Sequence, residues 1–235
     1  MDELADLESG LQGAAHAWLL PREGQIDPLA TMQALHAGAA AVEWTWASRV
    51  ERMEAGRLQL EGGSRRRFDL IFDVRGTGAR PDMAVRGVRG EIVWLHAPGH
   101  GLGRPVRLLH PRHRVYLVPR PGDVVLVGAS EIESEDRSAV SLRSAVELMA
   151  AAHSVMPALA EARILRLDAN LRPALPDNEP CVDVAPGLVR INGLFRHGWL
   201  LAPALVEDAL RACGLTEPET PTPAAVPGPA LEEIA

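Results

Sequence analysis

The sequence predicts a mixed α/β fold (α+β), with helices packed on a sheet that is antiparallel-rich in its central part. Four short apolar runs, EIVWLHA, VRLLH, RVYLVPR and DVVLVGAS, follow one another between residues 91 and 130, and PGD (121–123) separates the last two. Strands at such short intervals form an antiparallel meander. Helical periodicity lies outside that block, around residues 27–41, 141–154 and 202–213. The chain has 235 residues, 47% hydrophobic and 23% charged, which is the composition of an ordinary globular protein. That length makes one large domain or two small ones, burying roughly 70% of the unfolded surface.

Taken in order, Asp27-Pro28 fits an N-cap followed by proline at the first helical position, opening DPLATMQALHAGAAA. AVEWTW (41–46), a polar hairpin-like stretch and RLQLEGG follow. FDLIFDV (68–74) is a short apolar run that ends in a Gly-rich turn, RGTGA (75–79). After the meander, a helix is predicted from about Ser141 to Ser154, with Leu142, Val146, Met149 and Ala150 on one face. ARILRLDANLRPALP and GLVRINGL read as two further strands. The closing helix is predicted over about Ala202–Cys213, with Pro203 in its first turn and Gly214 as its C′ residue. Residues 216–235 hold five prolines, four glutamates and no basic residue, so a disordered tail is expected there.

Composition excludes several function classes. A net charge of −7 argues against nucleic-acid binding. No apolar stretch reaches the roughly 18 residues of a membrane span. Two cysteines, Cys181 and Cys213, form neither a disulfide framework nor a metal quartet, so a reducing, cytoplasmic setting is expected. All 24 basic residues are arginine, which rules out a lysine Schiff base or a P-loop.

The motifs narrow the chemistry further. G-x-S-x-G is absent, so the nucleophile elbow of a hydrolase is not expected. His96, His100, His110 and His113 lie close in sequence, but prolines break any shared helical face and neighbouring arginines repel a cation; no metal site is expected. RGTGA could bring backbone N–H groups to a phosphate, although such a turn is more often only a turn. Three polar residues stand in apolar or turn settings: Arg172 in NLRPALPDNEP, Arg196 in GLFRHG, and Tyr116, the single tyrosine, in RVYLVPR. Arginine is rarely buried without a carboxylate or phosphate. Each also has an ordinary structural reading. Arg172 could pair with Asp168 or Asp177, Arg196 with a surface glutamate, and Tyr116 could be core.

Together, GQID (24–27), FDLIFDVRGTGARP (68–81), GVRGEIVWLHAP (87–98), RPVRLLHPRHRVYLVPRP (104–121), VGASEIESED (127–136), LRPALPDNEP (171–180) and INGLFRHGWLLAPALVEDAL (191–210) resemble the FAD-dependent amine oxidases of the D-amino-acid oxidase type, especially the glycine oxidases of bacterial thiamine biosynthesis. The resemblance covers nearly everything except the tail, in the family's order. It implies an FAD-dependent oxidative deamination of glycine or a similar small amino acid, with hydride leaving Cα and oxygen reduced to hydrogen peroxide. By the same resemblance Arg172 pairs with the substrate carboxylate, and Arg196 is a second arginine at substrate and flavin. Tyr116 lines that pocket, and no side-chain acid or base is catalytic. The cofactor would be met by Val50 at the adenine, by Gly76 and Gly78 near the pyrophosphate, and by the loop Leu194, Phe195, Arg196, His197, Gly198, Trp199 and Leu200 around the isoalloxazine ring.

Residues 1–83 and 187–214 are then expected to be the remainder of an incomplete FAD-binding domain, and 84–186 the substrate domain with its antiparallel sheet. The family's first βαβ unit, with G-x-G-x-x-G on the pyrophosphate, has no counterpart in the sequence. Three expectations follow: a fragment of a longer oxidase, an oxidase completed by a separate N-terminal FAD-binding chain, or a non-catalytic remnant or partner-binding subunit that keeps the fold. Unpaired sheet edges also make a homo-oligomer an expectation.

Overall fold

The computed structural model describes residues 2–110, 114–216 and 232–233. Helix α1 (Asp2–Leu7) leads to strand β1 (Trp18–Leu19) and helix α2 (Pro28–Gly38). Asp27 caps α2 by accepting the Ala30 N–H at 3.0 Å, so the Asp-Pro signal holds. Within AVEWTW, Trp44 and Trp46 stack on one another at 5.5 Å beside His36 of α2. The polar stretch after it is a small antiparallel sheet of β2 (Val50–Glu54), β3 (Arg57–Leu60) and β4 (Arg65–Arg67).

Strand β5 (Ile71–Asp73) runs into a 3₁₀ turn at Gly76–Ala79. Then come β6 (Arg86–His96), β7 (Val106–Leu109), β8 (Arg114–Arg120) and β9 (Val124–Gly128), helix α3 (Leu142–Val155) and β10 (Arg163–Ala174). These five strands make one antiparallel sheet in the order β10-β6-β9-β8-β7. The predicted meander is therefore β7-β8-β9, and β6 lies between β9 and β10 rather than beside β7. Sequence spacing shows that consecutive strands are close, but not that a long loop (97–105) lets β6 skip its neighbour.

Along β6, Glu91, Val93 and Leu95 are buried and alternate with half-buried residues, so one face of the sheet meets the core. Val93, Leu95, Leu117 and Val127 pack there on Leu148 and Met156 from α3 and its end. The helix was expected to turn Leu142, Val146, Met149 and Ala150 inward. Its buried face is Ser144, Ala145, Leu148, Ala151 and Ala152, while Leu142 and Val146 are exposed. Small residues allow α3 to lie close on the sheet, and that close approach outweighs the pull of the larger side chains.

Strand β11 (Cys181–Ala185), which the sequence reading passed over, pairs with β12 (Leu188–Asn192). β12 in turn runs parallel to β5, giving a three-stranded sheet β11-β12-β5. Helix α4 (Gly198–Ala212) packs Leu205 and Ala209 on Val189 and Ile191 of β12. It begins four residues earlier than predicted, since Leu200 and Leu201 already donate to the His197 carbonyl, at 3.1 and 2.9 Å. Pro203 thus lies inside the helix rather than in its first turn. Of the tail, Glu232–Glu233 form β13 against β1; the rest of the expected disordered segment lies outside the described residues, apart from Thr216.

Candidate active site

The face of the five-stranded sheet opposite α3 brings Tyr116 and Arg172, two of the candidate residues, together. Ile92 of β6 pairs with Gly128 of β9, which pairs with Tyr116 of β8, so these three share one face. Two residues along β6, Gly90 pairs with Asn170 of β10, and Arg172 lies two further along β10 on the same side. The glycines matter because a Cβ on Gly90 would lie 2.3 Å from the Arg172 guanidinium, and one on Gly128 would lie 2.6 Å from the Tyr116 hydroxyl. Both polar side chains therefore lie flat on bare backbone, which fixes their direction.

Arg172 pairs with neither Asp168 nor Asp177. Asp168 accepts the Trp94 indole N–H at 2.8 Å and meets Arg166, and Asp177 accepts the Glu179 N–H. Among the described residues Arg172 makes one hydrogen bond, donating to the Ser130 carbonyl at 3.1 Å. Most of its five donors remain available to another acceptor. Burial draws its guanidinium below the ordinary value; nearby Tyr116 and Glu131 oppose that, and Arg196 adds to it. Burial pushes the Tyr116 phenol up, against the pull of Arg172, Arg196 and Arg120, so at neutral pH it is a hydrogen-bond donor.

Arg196 reaches the same place from the other sheet. It sits in the loop between β12 and α4, which docks on β10 through the Phe195 N–H donating to the Pro173 carbonyl at 3.1 Å. Phe195 has φ +45°, an uncommon conformation for a bulky residue, and one that turns the chain into the helix. The Arg196 guanidinium pairs with Glu131 at 2.8 Å, so the surface-glutamate alternative describes its partner here. His197 occupies the N-cap position without a side-chain cap, and Gly198, Trp199 and Leu200 form the first turn of α4. That turn holds no acidic residue, leaving amide N–H groups and the positive end of the helix dipole open to an acceptor.

Gly76 lies beside Pro173, 3.5 Å from it for an added Cβ, and its carbonyl accepts from Asn192 Nδ2 at 3.0 Å. The turn with Gly76 and Gly78 thus adjoins Pro173, the residue after Arg172, and the end of β12. Val50 stands apart, at the start of β2 opposite Leu60. Among the described residues no cluster of three or more metal-ligating side chains occurs; His113 of the four-histidine stretch lies outside them, and His100 Nδ1 accepts from the Leu102 N–H.

Sequence reasoning passed over Glu131, Ser130 and the pair beneath them, Arg89 and Glu91. Arg89 donates to Glu91 at 2.7 and 2.9 Å, and both are buried on the core face. The available signal was alternation: in VRGEIVWL, Arg89 and Glu91 fall on the same side as Val93 and Leu95.

The family model described as FAD dependent oxidoreductase, DAO, matches residues 1–208. The chain belongs to that family. Within the curated DAO-type relatives, a protein of Rhizobium etli named for a thiamine biosynthesis oxidoreductase, ThiO, is 38% identical over 226 residues, covering 93% of this chain and 64% of that protein. A glycine oxidase of Geobacillus kaustophilus is 26% identical, over 82% of this chain and 54% of its own length. The chain thus spans between half and two thirds of the length of these relatives. Among solved structures, glycine oxidase from Geobacillus kaustophilus superposes with a TM-score of 0.65 at 25% identity, covering 78% of this chain and 53% of that one. Glycine oxidase from Bacillus cereus gives 0.61 at 22%, covering 72% and 51%, which speaks for the DAO-type fold alone. Among the described residues no helix is long and apolar enough to cross a membrane.

The residues present fit the flavin end of the family's cofactor. An uncapped helix start with no acid in its first turn suits the hydrogen-bond-accepting carbonyl edge of an isoalloxazine ring. Trp199 and Leu200, exposed beside it, offer apolar surface to a flat ring.

Proposed function

We propose that this chain carries the substrate and flavin face of an FAD-dependent oxidase of glycine or a similarly small amino acid, in the thiamine thiazole branch of metabolism. The observation that carries the reading is Arg172, laid on Gly90 with one neutral carbonyl partner, beside Tyr116 and Arg196. A half-buried guanidinium with free donors is a receptor for a small carboxylate. The names of the Rhizobium and Geobacillus relatives supply the substrate and the pathway link.

FAD, when bound, supplies the hydride acceptor and passes the electrons to oxygen. The chain's own residues do the positioning. Arg172 takes the substrate carboxylate, Tyr116 donates to it from the side, and the sheet face beneath Ile92 and the glycines keeps that end of the substrate fixed. Holding Cα in a single attitude converts a bimolecular encounter into a prearranged one. The amide N–H groups at the start of α4 would hold the ring's carbonyl edge, where the positive end of the helix dipole favours negative charge. The substrate loses a hydride and a proton to become an imine, and water converts this to the oxo acid and ammonia.

The domain assignment belongs to the same reading. The five-stranded sheet, drawn wholly from residues 86–174, is the substrate unit, and the sheet that joins β5 to β12 belongs with the FAD-binding part. The free thiols of Cys181 and Cys213 support a reducing, cytoplasmic setting. A second reading is a subunit that works only with a nucleotide-binding partner chain. It is favoured by α2, which buries no residue and leaves Leu29, Met32 and Leu35 exposed.

The test is the full chain with FAD and glycine. A flavin spectrum after desalting, with peroxide release that is abolished in Arg172→Ala, supports the oxidase. A chain that stays colourless with added FAD sinks self-sufficient catalysis and leaves the partner-chain reading.

A further inference from the structure

The four residues after β9, Ala129–Ile132, are held by their neighbours on β6. The Ser130 N–H donates to the Glu91 carbonyl at 3.1 Å, and the Glu91 N–H donates to the Ser130 hydroxyl at 2.9 Å. Ile132 exchanges both backbone hydrogen bonds with Arg89, at 2.9 and 3.0 Å. Below this, the buried Glu91 carboxylate collects Arg89, the Ser141 N–H at 3.2 Å and the Ser130 hydroxyl at 3.2 Å. Glu131 is thus a residue whose backbone is clamped on both sides while its side chain projects, half exposed, to Arg196. The polar network is far larger than a surface turn requires. It fixes the backbone from which the Glu131 carboxylate reaches Arg196.

The charges of the site then read as a pattern. Two guanidinium groups, Arg172 and Arg196, face one carboxylate, Glu131, whose charge reaches both arginines. Two arginines alone would take any small carboxylate and repel an ammonium group. A carboxylate fixed beside them gives an ammonium its acceptor. Arg196 and Glu131 are separated by 2.8 Å, the length of one charge-assisted hydrogen bond. A molecule with carboxylate and ammonium on one carbon can replace each partner by its own opposite charge: its carboxylate for Glu131 at Arg196, its ammonium for Arg196 at Glu131. A simple monocarboxylate completes half of that exchange and strands Glu131 without a cation.

We propose that Glu131 is a specificity-determining residue that receives the substrate's ammonium group and releases Arg196 to join Arg172 on the substrate's carboxylate. The proposal rests on the reading of this site as an amino-acid site. It makes the site selective for zwitterions over plain acids of the same size. It also gives the Arg89–Glu91–Ser130 network a functional reason.

Calorimetric titration of the full chain without added FAD, using glycine and acetate as probes, tests this without any turnover, because no hydride acceptor is present. The expected result is a preference for glycine in the parent chain that shrinks by roughly tenfold or more in Glu131→Gln, through weaker glycine binding and equal or tighter acetate binding. Glu131→Asp, which keeps the charge, retains part of the preference. If Glu131→Gln weakens both ligands equally, Glu131 only props Arg196 and the proposal fails; it fails too if neither ligand is affected. Arg172→Ala separates the two levels of inference. It loses both ligands if the amino-acid site is correct. A parent chain that binds neither probe overturns that site and the Glu131 role together.

Discussion

Arg172 and Tyr116 owe their direction to atoms that are missing elsewhere. Gly90 and Gly128 leave the sheet surface bare, and the two side chains lie along it. In Gly90→Ala the new Cβ meets the far end of a flexible arginine rather than backbone, so the fold survives and the guanidinium moves. We expect unfolding free energy within about 1 kcal/mol of the parent, and glycine binding weakened as severely as in Arg172→Ala; unchanged binding would show that Arg172 does not need that seat. Much of this was legible at the residue scale. Arginines in LRPALP and FRHG, and a lone tyrosine between valine and leucine, are unusual enough to be noticed. Glu131 was not, because within EIESED a glutamate looks like any solvated acid, and only the backbone clamps from Arg89 and Glu91 give it a fixed position.

At the scale of elements, the ends of helices were read better than their faces. Asp27 and Ser141 cap α2 and α3 as their residue types dictate, and each accepts an N–H in the first turn. The end of α4 is a Schellman motif: Gly214 has φ +68°, its N–H donates to the Arg211 carbonyl at 3.0 Å, and Leu215 N–H donates to Leu210 at 2.9 Å. Gly214→Ala is expected to cost about 1 kcal/mol, because a Cβ is strained in the left-handed region. Ser141→Ala is expected to cost about as much through the lost cap. Urea unfolding of both variants checks this, and a neutral result at Gly214 would mean that the helix end frays without loss. Capping is local chemistry between residues three or four apart, so sequence carries it. The inward face of α3 depends on how closely a sheet approaches, and periodicity holds no record of that. The start of α4 was missed for a related reason: docking of Phe195 on Pro173 begins the helix before its apolar run does.

For the whole molecule, two carboxylates inside the fold set its response to acid. Burial alone would raise the carboxyls of Glu91 and Asp73. For Glu91 the Ser144 hydroxyl, Arg89 and the Ser141 N–H outweigh it; for Asp73 it is outweighed by Arg75, with Arg190 adding to the pull, and both groups stay below the usual carboxylate range. A group with a lowered folded pKa adds stability that is complete above its unfolded value, near 4, and is lost as pH falls through the folded one. Unfolding free energy should therefore be flat from neutral pH down to about pH 5 and decline below that. The decline should be shallower in Glu91→Gln, which is also less stable at neutral pH because Arg89 loses its anion. An identical acid slope in that variant would remove Glu91 from the account. The antiparallel block as a whole was visible in the spacing of its apolar runs, whereas the order β10-β6-β9-β8-β7 was not, since pairing across long loops leaves no local trace.

The Phe195–Pro173 hydrogen bond ties a loop of one sheet to a strand of the other. Arg172 rides on a ladder of paired backbone that runs the length of β6, and Arg196 rides on a turn between a short strand and a helix. The two arginines therefore stand on separate sheets that are joined beside them, like two jaws held by one pin. Their spacing is set at that seam, one residue from each guanidinium's backbone, so losing this single hydrogen bond would change the grip on a small anion while every strand stays paired.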